Sequence, residues 1–249
     1  MKRLLLAAIA ALALVSNAQA MTFAQLALGG PYELVLIVTN KTDHNSICQI
    51  TLKSGNAQTW PSKISMNGGT LMNLGALNLM MGARTTSKTV FAGEAEVRTG
   101  YLEINGIDGY SITDFAVNYF YVYRDGKTVI DSTGVPASDS SNRFIVPVER
   151  GEACDTGFAW APYVDPSVPA SFDVTFTLYD NRGQLFASVS KRFEGHTATF
   201  FSQIFQNLPA SFVGHLRLEA QHRFYFVALR MDSPPGGPQF TAIGGQTSW

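Results

Sequence analysis

The sequence predicts an all-β protein organised as two tandem β-sandwich domains that arose by internal duplication. Three observations lead there. Short runs rich in β-branched and aromatic residues recur along the chain, turn residues separate them at strand-like intervals, and a motif of the second half echoes one of the first.

The first twenty residues, MKRLLLAAIAALALVSNAQA, stand apart from that pattern. Lys2 and Arg3 precede an apolar run, and Ala18-Gln19-Ala20 supplies a small-x-small cleavage site, which together make a secretory signal. The run from Leu4 to Val15 falls short of the roughly 20 residues that a spanning helix needs. The expected location is therefore secreted or periplasmic, with cell-surface association as a variant, and no transmembrane segment is expected after signal cleavage. Losing Lys2 and Arg3 takes the formal net charge from −1 to about −3. A mildly acidic chain is a poor partner for nucleic acid. The apolar fraction of 46% is ample for a packed core, so disorder is not expected.

Strands are predicted at ELVLIVTN (Glu33–Asn40), CQITLKS (Cys48–Ser54), TDFAVNYFYVY (Thr113–Tyr123), FDVTFTLYD (Phe172–Asp180), QLFASVSKRF (Gln184–Phe193) and HRFYFVALRM (His222–Met231). Arg124-Asp125-Gly126-Lys127 reads as a tight hairpin turn and Asp180-Asn181-Arg182-Gly183 as a slightly longer one, because glycine tolerates positive φ. Asn105-Gly106 and Asp108-Gly109 fall in a third connection. Helical periodicity is scarce; Ser202–Leu208, before Pro209, reads as one turn capped by Ser202.

The duplication rests on four paired segments in the same order. GYLEI at Gly100–Ile104 matches GHLRL at Gly214–Leu218, and FAVNYF from Phe115 matches YFVALR from Tyr225. Upstream, Gly69–Leu74 corresponds to Gly195–Phe200 and Tyr32–Asn40 to Cys154–Pro162. A third copy of the leading element, beginning at Phe23, Phe144 and Phe240, suggests a strand that opens one sandwich while closing the one before. Gly214–Met231 itself reads as two strands. The first half carries an extra hairpin, VYRDGKTVI, and the polar stretch Ser132–Asn142 is the natural boundary, giving domains 21–143 and 144–249 after a signal at 1–20.

The second half resembles the tandem immunoglobulin-like β-sandwich repeats of secreted, mostly uncharacterised bacterial proteins. The residues that carry the resemblance are Phe144-Ile-Val-Pro147, Asp155-Thr-Gly-Phe-Ala-Trp-Ala-Pro162, Phe212-Val-Gly-His-Leu-Arg-Leu218 and Phe226-Val-Ala-Leu-Arg230. The first half departs from it: Tyr32–Asn40 lacks the Thr-Gly step and the closing proline, and Asn118-Tyr119-Phe120 replaces the Ala-Leu-Arg ending. The resemblance implies an immunoglobulin-like fold and no particular activity.

No catalytic motif is present. There is no Gly-x-Ser-x-Gly elbow, and no Ser or Cys stands at a recognisable spacing from a His and an acid. His44, His196, His215 and His222 form no His-x-His or His-x-x-x-His pair, so the metal-site expectation is none, the remaining candidate being His215 with His222 across a hairpin. Glu94 and Glu96 sit as a glycosidase pair might on one strand face, but two acids so spaced are usually a solvated face. No cofactor is expected. Trp60 and Trp160 read as core.

The sharper binding candidate is an aromatic stripe, since alternation puts Tyr119, Tyr121 and Tyr123 on one face of a strand, where rings could stack on a sugar or a partner. The competing reading, a core stripe with its hydroxyls at the rim, is favoured about three to one on general aromatic behaviour. Export permits a disulfide between Cys48 and Cys154, the only cysteines; two free thiols are the equal alternative. The leading functional expectation is a non-enzymatic structural or protein-interaction module of the periplasm or cell surface, with an unknown protein or a polysaccharide as partner. A carbohydrate-binding or adhesive protein comes second and a periplasmic assembly chaperone third.

Overall fold

The computed structural model describes residues 20–69, 72–163, 168–169, 171–233, 237–243 and 246–247. The predicted signal lies outside them apart from Ala20. The chain is all-β. In order, its strands are β1 (Met21–Leu28), β2 (Tyr32–Asn40), β3 (Ser46–Ser54), β4 (Ser62–Met66), β5 (Met72–Leu74), β6 (Ala76–Met81), β7 (Thr86–Ala92), β8 (Arg98–Gly106) and β9 (Phe115–Asp125). There follow β10 (Thr128–Val135), β11 (Ser140–Arg150), β12 (Cys154–Pro162), β13 (Ser171–Asp180), β14 (Leu185–Glu194), β15 (Thr197–Phe200), β16 (Phe212–Asp232), β17 (Gln239–Ile243) and β18 (Gln246–Thr247). A short α-helix, α1, spans Phe201–Ile204, and a 3-10 turn spans Ile112–Asp114. None of the described helices is long and apolar enough to cross a membrane.

In the first half, a sheet ordered β1-β8-β3-β6 faces one ordered β10-β9-β2-β7-β4-β5. Their inward residues follow the two-residue period of a strand. Leu34, Leu36 and Val38 of β2 meet Cys48, Ile50 and Leu52 of β3 and Leu102 and Ile104 of β8, all fully buried. In the second half, β14-β13-β16-β11 and β15-β12-β16-β17 enclose a core rich in phenylalanine. Phe172 and Phe193 stack at 4.7 Å, and Phe144 packs against Phe224 and Phe226 at 5.1 and 5.2 Å. Trp160 lies among Phe176 and Phe193, and Trp60 in the first core, both buried as the sequence suggests.

The segment read as two strands from Gly214 to Met231 is one strand of 21 residues. Its first part, Gly214–Ala220, lies between β13 and β11, and its second, Phe224–Asp232, pairs with β12, with β17 flanking its last residues. Between them residues 221–223 fall in a register shift opposite Asn142. No Gly, Pro, Asn or Asp occurs there, so nothing breaks the extended backbone. The stretch Ser132–Asn142, read as a polar loop, is mostly strand: Ser132–Val135 pair with Val122–Tyr119, and Ser140 already belongs to β11. Edge position explains the misreading, because an edge strand tolerates Ser and Thr on a solvated face. The boundary between 143 and 144 therefore falls inside β11.

Both predicted turns form. Gly126 (φ 55°) and Gly183 (φ 76°) take the left-handed conformation, and the Asp180 carboxylate accepts from the amides of Arg182 and Gln184 at 2.9 and 2.8 Å. Ser202 does not cap its turn; the Gln203 side chain accepts from the Phe200 amide at 2.9 Å, and the Ser202 hydroxyl donates to Asp155. Phe240 does not open a third leading strand either, since β17 pairs with Ala228–Asp232 of β16, whereas β1 and β11 each pair across the repeated glycine, at Gly100 and Gly214.

Candidate functional site

The most structured internal space lies where the halves meet, and β1 sets it up. MTFAQLAL is buried along nearly its whole length, because one face closes the first core while the other meets β12 and β16. A strand covered on both sides needs apolar or small residues at successive positions. Ala24 and Ala27 on β1 face Ala159 and Ala161 on β12, and Tyr225, Val227 and Leu229 of β16 join the first core from across the seam. The outward face of β12 and β16 is thus as internal as the inward one.

Polar groups pin the seam. The Tyr119 hydroxyl donates to the Gln25 carbonyl at 2.8 Å, and Ser138 bonds the Thr22 carbonyl through its amide at 2.7 Å. His196 is buried; its amide donates to the Gly55 carbonyl at 2.8 Å, its Nε2–H to the Ala24 carbonyl at 3.0 Å, and its ring stacks on Tyr101. Burial pushes the His196 pKa down to about 4, partly opposed by the bond to Ala24, so the imidazole is neutral at neutral pH. Glu103, on the same outward face as Tyr101, is buried with one carboxylate oxygen unpartnered; burial raises its pKa and Lys53 draws it back.

Packing is incomplete beside this seam. A half-enclosed cavity of about 320 Å³ lies between Gln25 and Ala27 of β1, Tyr32 of β2, Tyr121 of β9, Gly157 and Ala159 of β12, Ala198 of β15, Leu229 of β16 and Phe240 of β17. Glycine and alanine at four of those positions leave the space that larger side chains would fill. Tyr32 packs against Tyr121 and Tyr123 at 5.3 and 5.4 Å, and Phe240 meets Tyr121 edge-on at 5.3 Å. Burial raises the phenol pKa of Tyr121 well above its ordinary value and that of Tyr32 less strongly. Among the described residues, no Asp, Glu, Lys, Arg or His lines the cavity.

The predicted binding stripe is therefore placed differently from an exposed platform. Tyr119 and Tyr121 are 1% and 4% exposed, and only Tyr123 is half-buried, beside a surface groove formed with Pro31 and Arg124. Alternation correctly assigns the three rings to one face, and that face is core, as the competing reading held: Phe23 of β1 covers Tyr119, and Phe240 covers Tyr121. Tyr121 does contribute to the cavity, together with Gln25, Tyr32 and Phe240, which sequence reasoning did not select. Their only local signal was the register that sets Tyr32 opposite Tyr123.

The remaining candidates do not assemble into chemistry. Glu94 and Glu96 lie in an exposed bend after β7, not on a strand. His215 and His222 stand on the same continuous strand, seven residues and on the order of 20 Å apart; His215 stacks on Tyr179 and His222 leans on Phe172. Among the described residues no three metal-ligating side chains cluster, and no Ser, Thr or Cys is hydrogen-bonded to a histidine ring.

Cys48 and Cys154 are not bonded to each other in the structure, the arrangement of the free-thiol alternative. Cys48 sits in the first core, with its pKa pushed up to about 12 by burial, while Cys154 is half-buried at the start of β12. A thiol reagent applied to the folded protein is expected to modify Cys154 at least about tenfold faster than Cys48, since reactivity follows thiolate fraction and access. Equal rates followed by mass spectrometry, or a gel mobility that changes on reduction, would contradict this arrangement.

No protein-family model matches the chain, and no curated protein matches its sequence.

Proposed function

We propose that the chain is an exported structural or protein-interaction module, without catalytic activity of its own, made of two tandem immunoglobulin-like β-sandwich units of duplicated origin. The observation that carries this reading is the strand order. In the first half, β1-β8-β3-β6 and β9-β2-β7 recur in the second as β11-β16-β13-β14 and β16-β12-β15. Gly100 and Gly214 support the same correspondence: a Cβ on either would stand 2.0 or 2.1 Å from the carbonyl oxygen of Lys53 or Tyr179, so each glycine admits the same close approach of the neighbouring strand.

The alignment by sequence needs two adjustments. The counterpart of β15 is β7 and not β5 (Met72–Leu74), which among the described residues pairs with β4. Register also sets Phe115 against Asn40 and Phe224 against Pro162, which moves the last pair of segments by one residue. The leader at residues 1–20 supports export, and scattered ionisable groups support a non-enzymatic role.

An interaction face is offered by the outer side of β14, β13 and β16. Leu185 pairs with Tyr179, which pairs with His215, two residues from Val213. Leu185 and Val213 are 64% and 55% exposed, and Phe186 is exposed beside Phe212. With Tyr119 and Tyr121 buried, the carbohydrate platform loses its support. Photo-crosslinking residues placed at 185 and 213 in living cells, with fractionation, test the reading. The expected result is a discrete cross-linked protein in the extracytoplasmic fraction. A chain retained in the cytosol, or exported without cross-links from either position, would overturn it.

A further inference from the structure

The cavity at the seam has walls of a kind that selects a ligand class. We propose that it binds a small uncharged molecule with an aromatic or alicyclic body and one hydrogen-bonding end, an activity separate from the interaction face described above. Its volume, about 320 Å³, lies at the lower end of small-molecule sites, and such sites favour junctions between packed units.

The body of the ligand follows from the apolar wall. Ala27, Ala159, Leu229 and Phe240 offer carbon surface, and among the described residues no charged side chain lines the cavity to receive an ion. A carboxylate or ammonium placed there would lose its hydration with no counter-charge in return. The polar end follows from two phenols. The hydroxyls of Tyr32 and Tyr121 hydrogen-bond to no other described residue, and both residues line the cavity. Tyr121 is held between Tyr32 and Phe240, so its hydroxyl is positioned before any ligand arrives. A hydroxyl, carbonyl or secondary amine on the ligand would complete hydrogen bonds that the protein leaves open.

The test uses the purified chain, the neutral fluorophore N-phenyl-1-naphthylamine and its anionic relative 1-anilinonaphthalene-8-sulfonate. The neutral probe is expected to bind saturably at one site and at least about tenfold tighter than the sulfonate, a preference set by the uncharged wall. Gly157→Val should fill the space: a Cβ at Gly157 meets its nearest neighbours, Phe200 and Leu229, at 3.5 and 3.6 Å, which is ordinary contact. That variant should lower affinity for the neutral probe at least about tenfold while leaving the unfolding temperature within a few degrees. Tyr121→Phe keeps the ring and removes only the hydroxyl, so competition by 2-naphthol should weaken about threefold or more. Absence of saturable binding, equal affinity for the sulfonate, or unchanged binding in both variants would each refute the site.

Discussion

Tyr119→Ala is expected to lower folding stability by about 3–5 kcal/mol, the range for truncating a large buried aromatic. The ring is 1% exposed and meets Phe23 edge-on at 5.1 Å, and the hydroxyl crosses from β9 to bond the Gln25 carbonyl of β1. Truncation therefore opens a void in the first core and strands a carbonyl at the seam. Tyr119→Phe isolates the second part and should cost about 1 kcal/mol, a single hydrogen bond. Tyr123→Ala, at a half-buried position, should cost clearly less than Tyr119→Ala. Urea titrations of the three variants check this. A Tyr119→Ala protein within 1 kcal/mol of the parent, on the ~3–5 kcal/mol scale expected of such truncations, would mean that the ring is not the internal element described.

The other large effect is expected at two glycines. Gly100→Ala and Gly214→Ala should each destabilise by about 3 kcal/mol, the upper end for overpacking, because the new methyl would stand about 2 Å from a backbone carbonyl that cannot rotate away. Gly134→Ala is the control. Its Cβ would meet Phe120 and the Tyr119 carbonyl only at 3.9 and 4.0 Å, so the change should be nearly neutral, with reduced freedom of the unfolded chain as its main effect. Thermal unfolding of the three variants separates them; a Gly214→Ala protein as stable as Gly134→Ala would show that the approach of β13 to β16 is looser than described.

Much of this architecture was legible from local patterns. The period-two runs at Glu33–Asn40 and Phe172–Asp180 became β2 and β13, and Gly126 and Gly183 turned where expected, because strand faces and tight turns are encoded within a few residues. The repeated glycines, noticed only as a motif, proved to be points of close strand approach. What escaped was decided by contacts between residues far apart in sequence. Tyr119 and Tyr121 have the same alternation whether water or a second sheet covers them, and Gln25 and Phe240 belong to one cavity although they lie at opposite ends of the described chain. Cys48 and Cys154 show the same limit, since spacing says nothing of whether two thiols meet.

The undivided strand β16 has a mechanical consequence. In the first half, β8 and β9 are separate strands joined by residues 107–114, so either can be peeled from its sheet while the other holds. In the second half a single backbone is the common rail of both sheets, bonded on one stretch to β13 and β11 and on the next to β12 and β17. Tension along that rail is carried into both sheets, with only the short unpaired step at 221–223 between the two ladders. A pull along the chain is therefore expected to part β8 from β9 before it divides the two ladders of β16.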